Sequence, residues 1–187
     1  MTPTSTLRVL LAELDRALAY TDDLQVGLTP EQIAWRPDTE SSAIGWHLGH
    51  QAAVAHFMLR NLLAAEPSID ANIDALMDSA TPERQRGELP SLDRIRAYRS
   101  AVAARMHDRI GQIDQGAVGA PNQLRVIAST LLIAVVNHEY QHSKWIGELR
   151  TDAFGLDAPP LPSSPRLSVI DDYVALEAVT RRSSSRA

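Results

Sequence analysis

The chain has 187 residues, 44% of them hydrophobic and 22% charged, the size and balance of one globular domain with enough apolar residues to fill a core. A formal net charge of −5 provides no overall basic field for a nucleic acid backbone, and the absence of cysteine removes disulfides, iron–sulfur clusters, thiolate zinc sites and a protein thiol nucleophile together. Any bound metal must therefore be held by His, Asp or Glu.

The opening MTPTSTLRVLLAELDRALAY has neither a basic leader nor an uninterrupted apolar run, and no stretch approaches membrane-spanning length, so a cytoplasmic protein with no membrane partner is expected. Leu7, Leu11, Leu14 and Leu18 recur at steps of four and three after Thr4 and Ser5, which predicts a capped amphipathic helix. In LTPEQIAWRP, Thr29 as cap and Pro30 at the first helical position predict a short turn that Pro37 stops. A longer helix is expected from Ser41 or Ser42 through IGWHLGHQAAVAHFMLRNLLAA, with Gly45 and Gly49 lowering propensity and allowing close contact. From Glu66 to Pro90 the periodicity weakens, as in a long crossover, with a short turn at IDALM.

A third long helix is predicted from Ser91, carrying Leu92, Ile95, Val102, Met106, Ile110 and Ile113 inward, with Arg94, Arg96, Arg99, Arg105 and Arg109 as a solvated face. After Gly116 and Pro121, a fourth runs from about Asn122 to Arg150. Its stripe of Leu124, Ala128, Leu131, Val135, His138, His142, Trp145 and Leu149 steps only by four or three, the seam of a helical bundle. Beyond it, DAPPLPSSP reads as a proline-rich linker, SVIDDYVALEAV as a short helix capped by Ser168, and RRSSSRA as a disordered tail; no strand is expected. The expected architecture is all-α, a four-helix bundle over residues 1–155 with a long crossover, followed by a linker and C-terminal extension over 156–187.

The bundle seam carries the chemistry. His138-Glu139-Tyr140-Gln141-His142 satisfies the H-E-x-x-H pattern of zinc peptidase helices. Two imidazoles one turn apart among leucines and valines need partners, since an unpaired buried polar ring costs about 1–3 kcal/mol, and a metal answers both the desolvation and the convergence of the two nitrogens. The plainer alternative is a pair of buried histidines satisfied by hydrogen bonds. A peptidase of this pattern finds its third ligand downstream, but no histidine follows His142, Glu148 lies on the same helix and Glu177 lies in the tail. Upstream, Ala43, His47, His50, Val54 and Phe57 again step by four and three, and facing helices can bring His50 to His138 and His142.

The segments WRPDTESSAIGWHLGH and HEYQHSKWIGELR resemble those of the DinB-like proteins, also called the YfiT/DinB metalloenzymes, with matching helix order from about Leu7 to Arg150. That resemblance implies a four-helix bundle holding one divalent metal, Zn, Ni or Fe, through His50, His138 and His142. Similar W-H-L-A-H and H-E-Q-Q-H segments around iron in ergothioneine-forming sulfoxide synthases also favour His50 over His47. It further implies a small-molecule substrate and thiol transfer or hydrolysis, with conjugation to a low-molecular-weight thiol first. A non-catalytic metal-binding stress protein is the alternative, and a peptidase a more distant one. Ser143-Lys144-Trp145 departs from the Arg-Gly-Gln-like stretch of many relatives, so no particular thiol is implied.

His47 stays open between a fourth ligand, a group behind the ligands that bonds to them or passes a proton, and a ring at the pocket rim. His56 and His107 fall on other faces and read as surface histidines, while Trp46 and Trp145 read as packing around the site. Glu139 lies about 100° around the helix from His138 and should turn toward a neighbouring helix. The apolar residues of LSVIDDYVALEAV predict a homodimer.

Overall fold

A computed structural model describes residues 5–177. Helix α1 spans Thr6–Asp23 and begins where the Ser5 hydroxyl accepts from the Arg8 N–H, so the cap is Ser5. The short α2, Pro30–Ala34, has the expected Thr29 cap, and Gln32 completes it by accepting from the Thr29 N–H. Helix α3 covers Ile44–Leu59 and continues into a π turn, Arg60–Ala64, which ends at Ala65 with φ 50°. It starts later than expected, at Ala43, which offers no side-chain cap; the Ser42 hydroxyl instead accepts from Arg86.

The crossover contains α4, Ala71–Leu76, capped by Asp70, and a single 3-10 turn at Glu83–Gln85. Helix α5, Leu92–Gln115, starts at Ser91 and stops at Gly116, whose φ of 75° suits a residue without a side chain. Helix α6 runs Pro121–Phe154, four residues beyond the expected end, and closes on Gly155 at φ 65°.

The long helices α1, α3, α5 and α6 form the bundle, with α1 against α6 and α3 against both α5 and α6. Ile44 to Ala53 of α3 are all buried, because the crossover covers the face that the other helices leave bare. Gly49 permits this. A Cβ there would lie 2.5 Å from the Met77 Sδ. At Gly45 the close neighbours are Ile33 of α2 and Leu89 of the crossover.

After the proline-rich segment the chain forms a hairpin, β1 Leu167–Ile170 and β2 Tyr173–Leu176, paired antiparallel with Ile170 opposite Tyr173. This corrects the expected helix and the expected absence of strands. Asp171 and Asp172 adopt φ of 50° and 64°, the two left-handed positions of a two-residue hairpin turn, and β-branched Val169, Ile170 and Val174 suit a strand. Apolar spacing of three and four was shared by a helix and by this hairpin, and the turn chemistry decided. The hairpin packs on α6, where Leu176 is buried and its N–H donates to Asn137 Oδ1 at 2.7 Å. Residues 178–187, including the expected tail and the end of that helix, lie outside the described residues.

Candidate metal centre

Helix α3 supplies His47 and His50, and α6 supplies His138 and His142. One nitrogen from each of His50, His138 and His142 lies within 4.8 Å of the others. A tetrahedral ion at 2.0–2.1 Å from imidazole nitrogens would place them about 3.3 Å apart, a modest rotation from this arrangement, so the donor set fits one divalent ion. His50 and His142 are buried and His138 is half-buried.

Hydrogen bonding selects which nitrogens are free. His50 Nδ1 lies 2.6 Å from the Met77 carbonyl oxygen, an acceptor only, so Nδ1 carries the proton and Nε2 is the available donor atom. His142 Nδ1 is engaged with His47 Nδ1 at 2.9 Å, either ring able to donate, which leaves His142 Nε2 as the nitrogen without a partner. His138 has no hydrogen-bond partner among the described residues. Burial pushes His142 down to about 2, His47 to about 3 and His138 to about 4, with neighbouring cationic or imidazole groups adding to each; burial also lowers His50, against the Met77 carbonyl. The rings are neutral at neutral pH, the form that binds metal.

Aromatic rings enclose the cluster. The Trp46 ring lies nearly parallel to His50, centroids 4.4 Å apart, and the Arg86 guanidinium sits 3.5 Å from the Trp46 centroid. Trp145 meets His142 edge-on at 4.8 Å. Both tryptophans pack around the site as expected, although the Trp46 indole N–H is buried without a partner among the described residues. Next to the histidines, Trp35, Pro37, Ser41, His47, Trp145 and Leu149 help to line a cleft of about 540 Å³. Ser42 borders both this cleft and a smaller one of about 290 Å³ at Arg36, Trp46 and Arg86.

Glu139 is turned away from this cluster. It is 2% exposed, and its Oε1 accepts from Arg99 at 2.8 Å and from the Thr21 hydroxyl at 2.7 Å. Gln51 donates to the Glu139 carbonyl at 2.8 Å, Ser143 does the same, and Arg99 also reaches Gln51 Oε1 and the Leu48 carbonyl. A buried polar network thus joins α1, α3, α5 and α6 behind the histidines.

Arg99 corrects the expected solvated arginine face: it is 6% exposed, while Arg105 and Arg109 bend back to the carbonyls of Pro67 and Leu63. Its place was legible, since it fills the gap between Ile95 and Val102 in the inward stripe of α5. His56 is a second correction. It is fully buried, with Nδ1 at 3.2 Å from both Asp74 and the Tyr98 hydroxyl and Nε2 at 3.3 Å from Arg105. Ala52, His56, Leu59 and Leu63 form a four-and-three stripe of their own, a signal outweighed by the polarity of the ring. His107 is half-buried beside Asp15, while Phe57, placed on the histidine stripe by spacing, is exposed. Among the described residues no helix is long and apolar enough to cross a membrane.

The family model of the DinB superfamily matches residues 13–146, a span holding every residue of the histidine cluster and its buried network. No curated protein matches the chain.

Proposed function

The chain belongs to the DinB superfamily, and from that membership we propose that it is a metal-dependent enzyme joining a low-molecular-weight thiol to a small electrophile. His50, His138 and His142 would hold the ion. The observation that carries this reading is the convergence of three neutral imidazoles beside an open cleft. A divalent ion held by three uncharged ligands keeps its full charge, and when bound it acidifies a coordinated thiol or water and polarises a carbonyl.

The protein's own residues supply placement. Trp35, Trp145 and Leu149 give the cleft apolar walls suited to the body of a small organic molecule, and Ser41 and Ser42 offer hydroxyls at its edge. Trp46 stacked on His50 and the Met77 carbonyl on its Nδ1 fix that ring against rotation. In the transfer the thiol gives its proton to solvent, its sulfur bonds to an electrophilic carbon, and the bond from that carbon to the leaving group breaks, the electron pair departing with the leaving group.

The cleft favours catalysis over an ion that merely ties two helices. The peptidase reading is opposed by Glu139, which would have to reach the reacting water but is held by Arg99 and Thr21 on another face of the helix. We also propose a homodimer, supported by Val169, Ile170 and Tyr173, which the hairpin leaves exposed.

The test is elemental analysis of untagged protein, followed by a screen of cellular thiols against small electrophiles. About one metal per chain and conjugation proportional to metal content are expected. Metal-free protein under every preparation, or a metallated protein inert toward all thiols while hydrolysing esters or amides, would overturn thiol transfer.

A further inference from the structure

His47 lies between the cleft and the histidine cluster, and two contacts define its surroundings. Its Nδ1 is 2.9 Å from His142 Nδ1, and its ring forms part of the cleft lining together with Trp145 and Ser42. Two ring nitrogens at that separation share a single proton. Which one carries it depends on the other end of His142.

When His142 uses Nε2 as a metal ligand, its neutral ring keeps the proton on Nδ1. His47 Nδ1 must then accept that hydrogen bond. A ring that accepts at Nδ1 and is neutral carries its own proton on Nε2. His47 Nε2 has no protein partner among the described residues and is not among the enclosed unpartnered atoms, so it is left to the cleft. A doubly protonated His47 is excluded by the same pairing, because it would have to donate to a His142 Nδ1 stripped of its proton.

We propose that His47 is a neutral hydrogen-bond donor of the cleft, its Nδ1 accepting from His142 and its Nε2–H held out to an oxygen of the substrate. The substrate class narrows accordingly. It carries a carbonyl, carboxylate or other acceptor oxygen close to the atom that meets the metal, and an apolar portion that lies along Trp35, Trp145 and Leu149. A substrate with a donor at that position would face an N–H instead of a lone pair and be rejected. This assignment rests on the proposed metal centre, since it is the bound ion that fixes the tautomer of His142 and, through it, that of His47.

The tautomers can be read directly by nitrogen-15 correlation spectroscopy on full-length, histidine-labelled protein loaded with zinc. The expected spectrum shows His142 protonated at Nδ1 and zinc-bound at Nε2, with His47 protonated at Nε2 and bare at Nδ1. Zinc shifts on His50, His138 and His142 together with a His47 that is protonated at Nδ1, doubly protonated or itself zinc-bound would overturn the donor role and leave the metal centre standing. Zinc that shifts none of the three nitrogens would overturn both.

Acetate then probes the donor, because one carboxylate oxygen can meet zinc while the other accepts from His47. On zinc-loaded protein, His47→Leu should weaken acetate binding about tenfold, whereas His47→Gln, whose amide can accept from His142 and donate to acetate, should stay within about threefold of wild type. Equal acetate affinity in all three proteins would overturn the proposal.

Discussion

Arg99 and Glu139 meet at 2.8 Å inside the bundle, each less than a tenth exposed, and they join α5 to the helix that carries two of the three clustered histidines. Breaking such a pair from one side strands a buried charge, at a cost of about 3–5 kcal/mol, whereas replacing both partners by apolar residues is often far milder. Glu139→Gln is therefore expected to lower stability and metal affinity more than it lowers the rate per bound metal. Denaturant titration, metal content and activity normalised to metal separate these effects. Rate loss at full metal occupancy and unchanged stability would mean that Glu139 acts in the chemistry. The protein is expected to show no endopeptidase activity on unfolded substrates.

His50→Ala, His138→Ala and His142→Ala should each abolish stoichiometric metal, because two imidazoles do not complete the site. His47→Ala should keep its metal, although more weakly, through loss of the bond that orients His142. Elemental analysis of the four proteins decides, and stoichiometric metal in His50→Ala with none in His47→Ala would exchange the roles of the two α3 histidines.

Gly49→Ala places a Cβ against Met77, whose thioether is fully buried and has little room to retreat. A destabilisation of about 1–3 kcal/mol is expected from the overpacking. Because the displaced residue is also the one whose carbonyl holds His50, zinc affinity should fall as well. Unchanged zinc affinity in a destabilised variant would show that the crossover can shift without turning the ring.

Metal-free protein should be acid-sensitive in a definite direction. Burial lowers His138 from 6.5 to about 4, His47 to about 3 and His142 to about 2. Between 6.5 and those values the unfolded chain binds more protons than the folded one, so stability is full above 6.5 and falls with decreasing pH through that interval. The urea midpoint should drop between about pH 7 and about pH 5, and His138→Leu should flatten the drop. A midpoint that rises toward acid would contradict the neutral, buried state of the rings.

Light scattering at high concentration is expected to give twice the chain mass. Val169→Lys with Ile170→Lys, both on the exposed turn side of the hairpin, should return a monomer if the two copies meet there. A monomer mass for the unaltered protein removes the dimer.

The four long helices were legible because their apolar residues repeat at three and four over many turns, and the convergence of His50, His138 and His142 follows from two such seams facing each other. Three features were less visible. The hairpin at Leu167–Leu176 shares its apolar spacing with a helix over so short a length, and only the paired aspartates at the turn distinguish it. Arg99 and His56 sit on inward stripes, but side-chain polarity argued for solvent until their partners were known. The Met77 contact is a backbone carbonyl, which no residue type announces.

That contact also ties occupancy of the centre to the accessibility of the crossover. Met77 is held to α3 by its own carbonyl on His50, while the segment on either side of it runs along the surface through α4 and the turn at Glu83–Gln85. A His50 ring turned away gives up its bond to the Met77 carbonyl, and the segment between Asp78 and Arg86 is then expected to open more readily to a trypsin-like protease at Arg84 and Arg86. Limited digestion of this one segment would thus report the state of the centre without any knowledge of the reaction, with cleavage slowed by each ion that the three histidines accept.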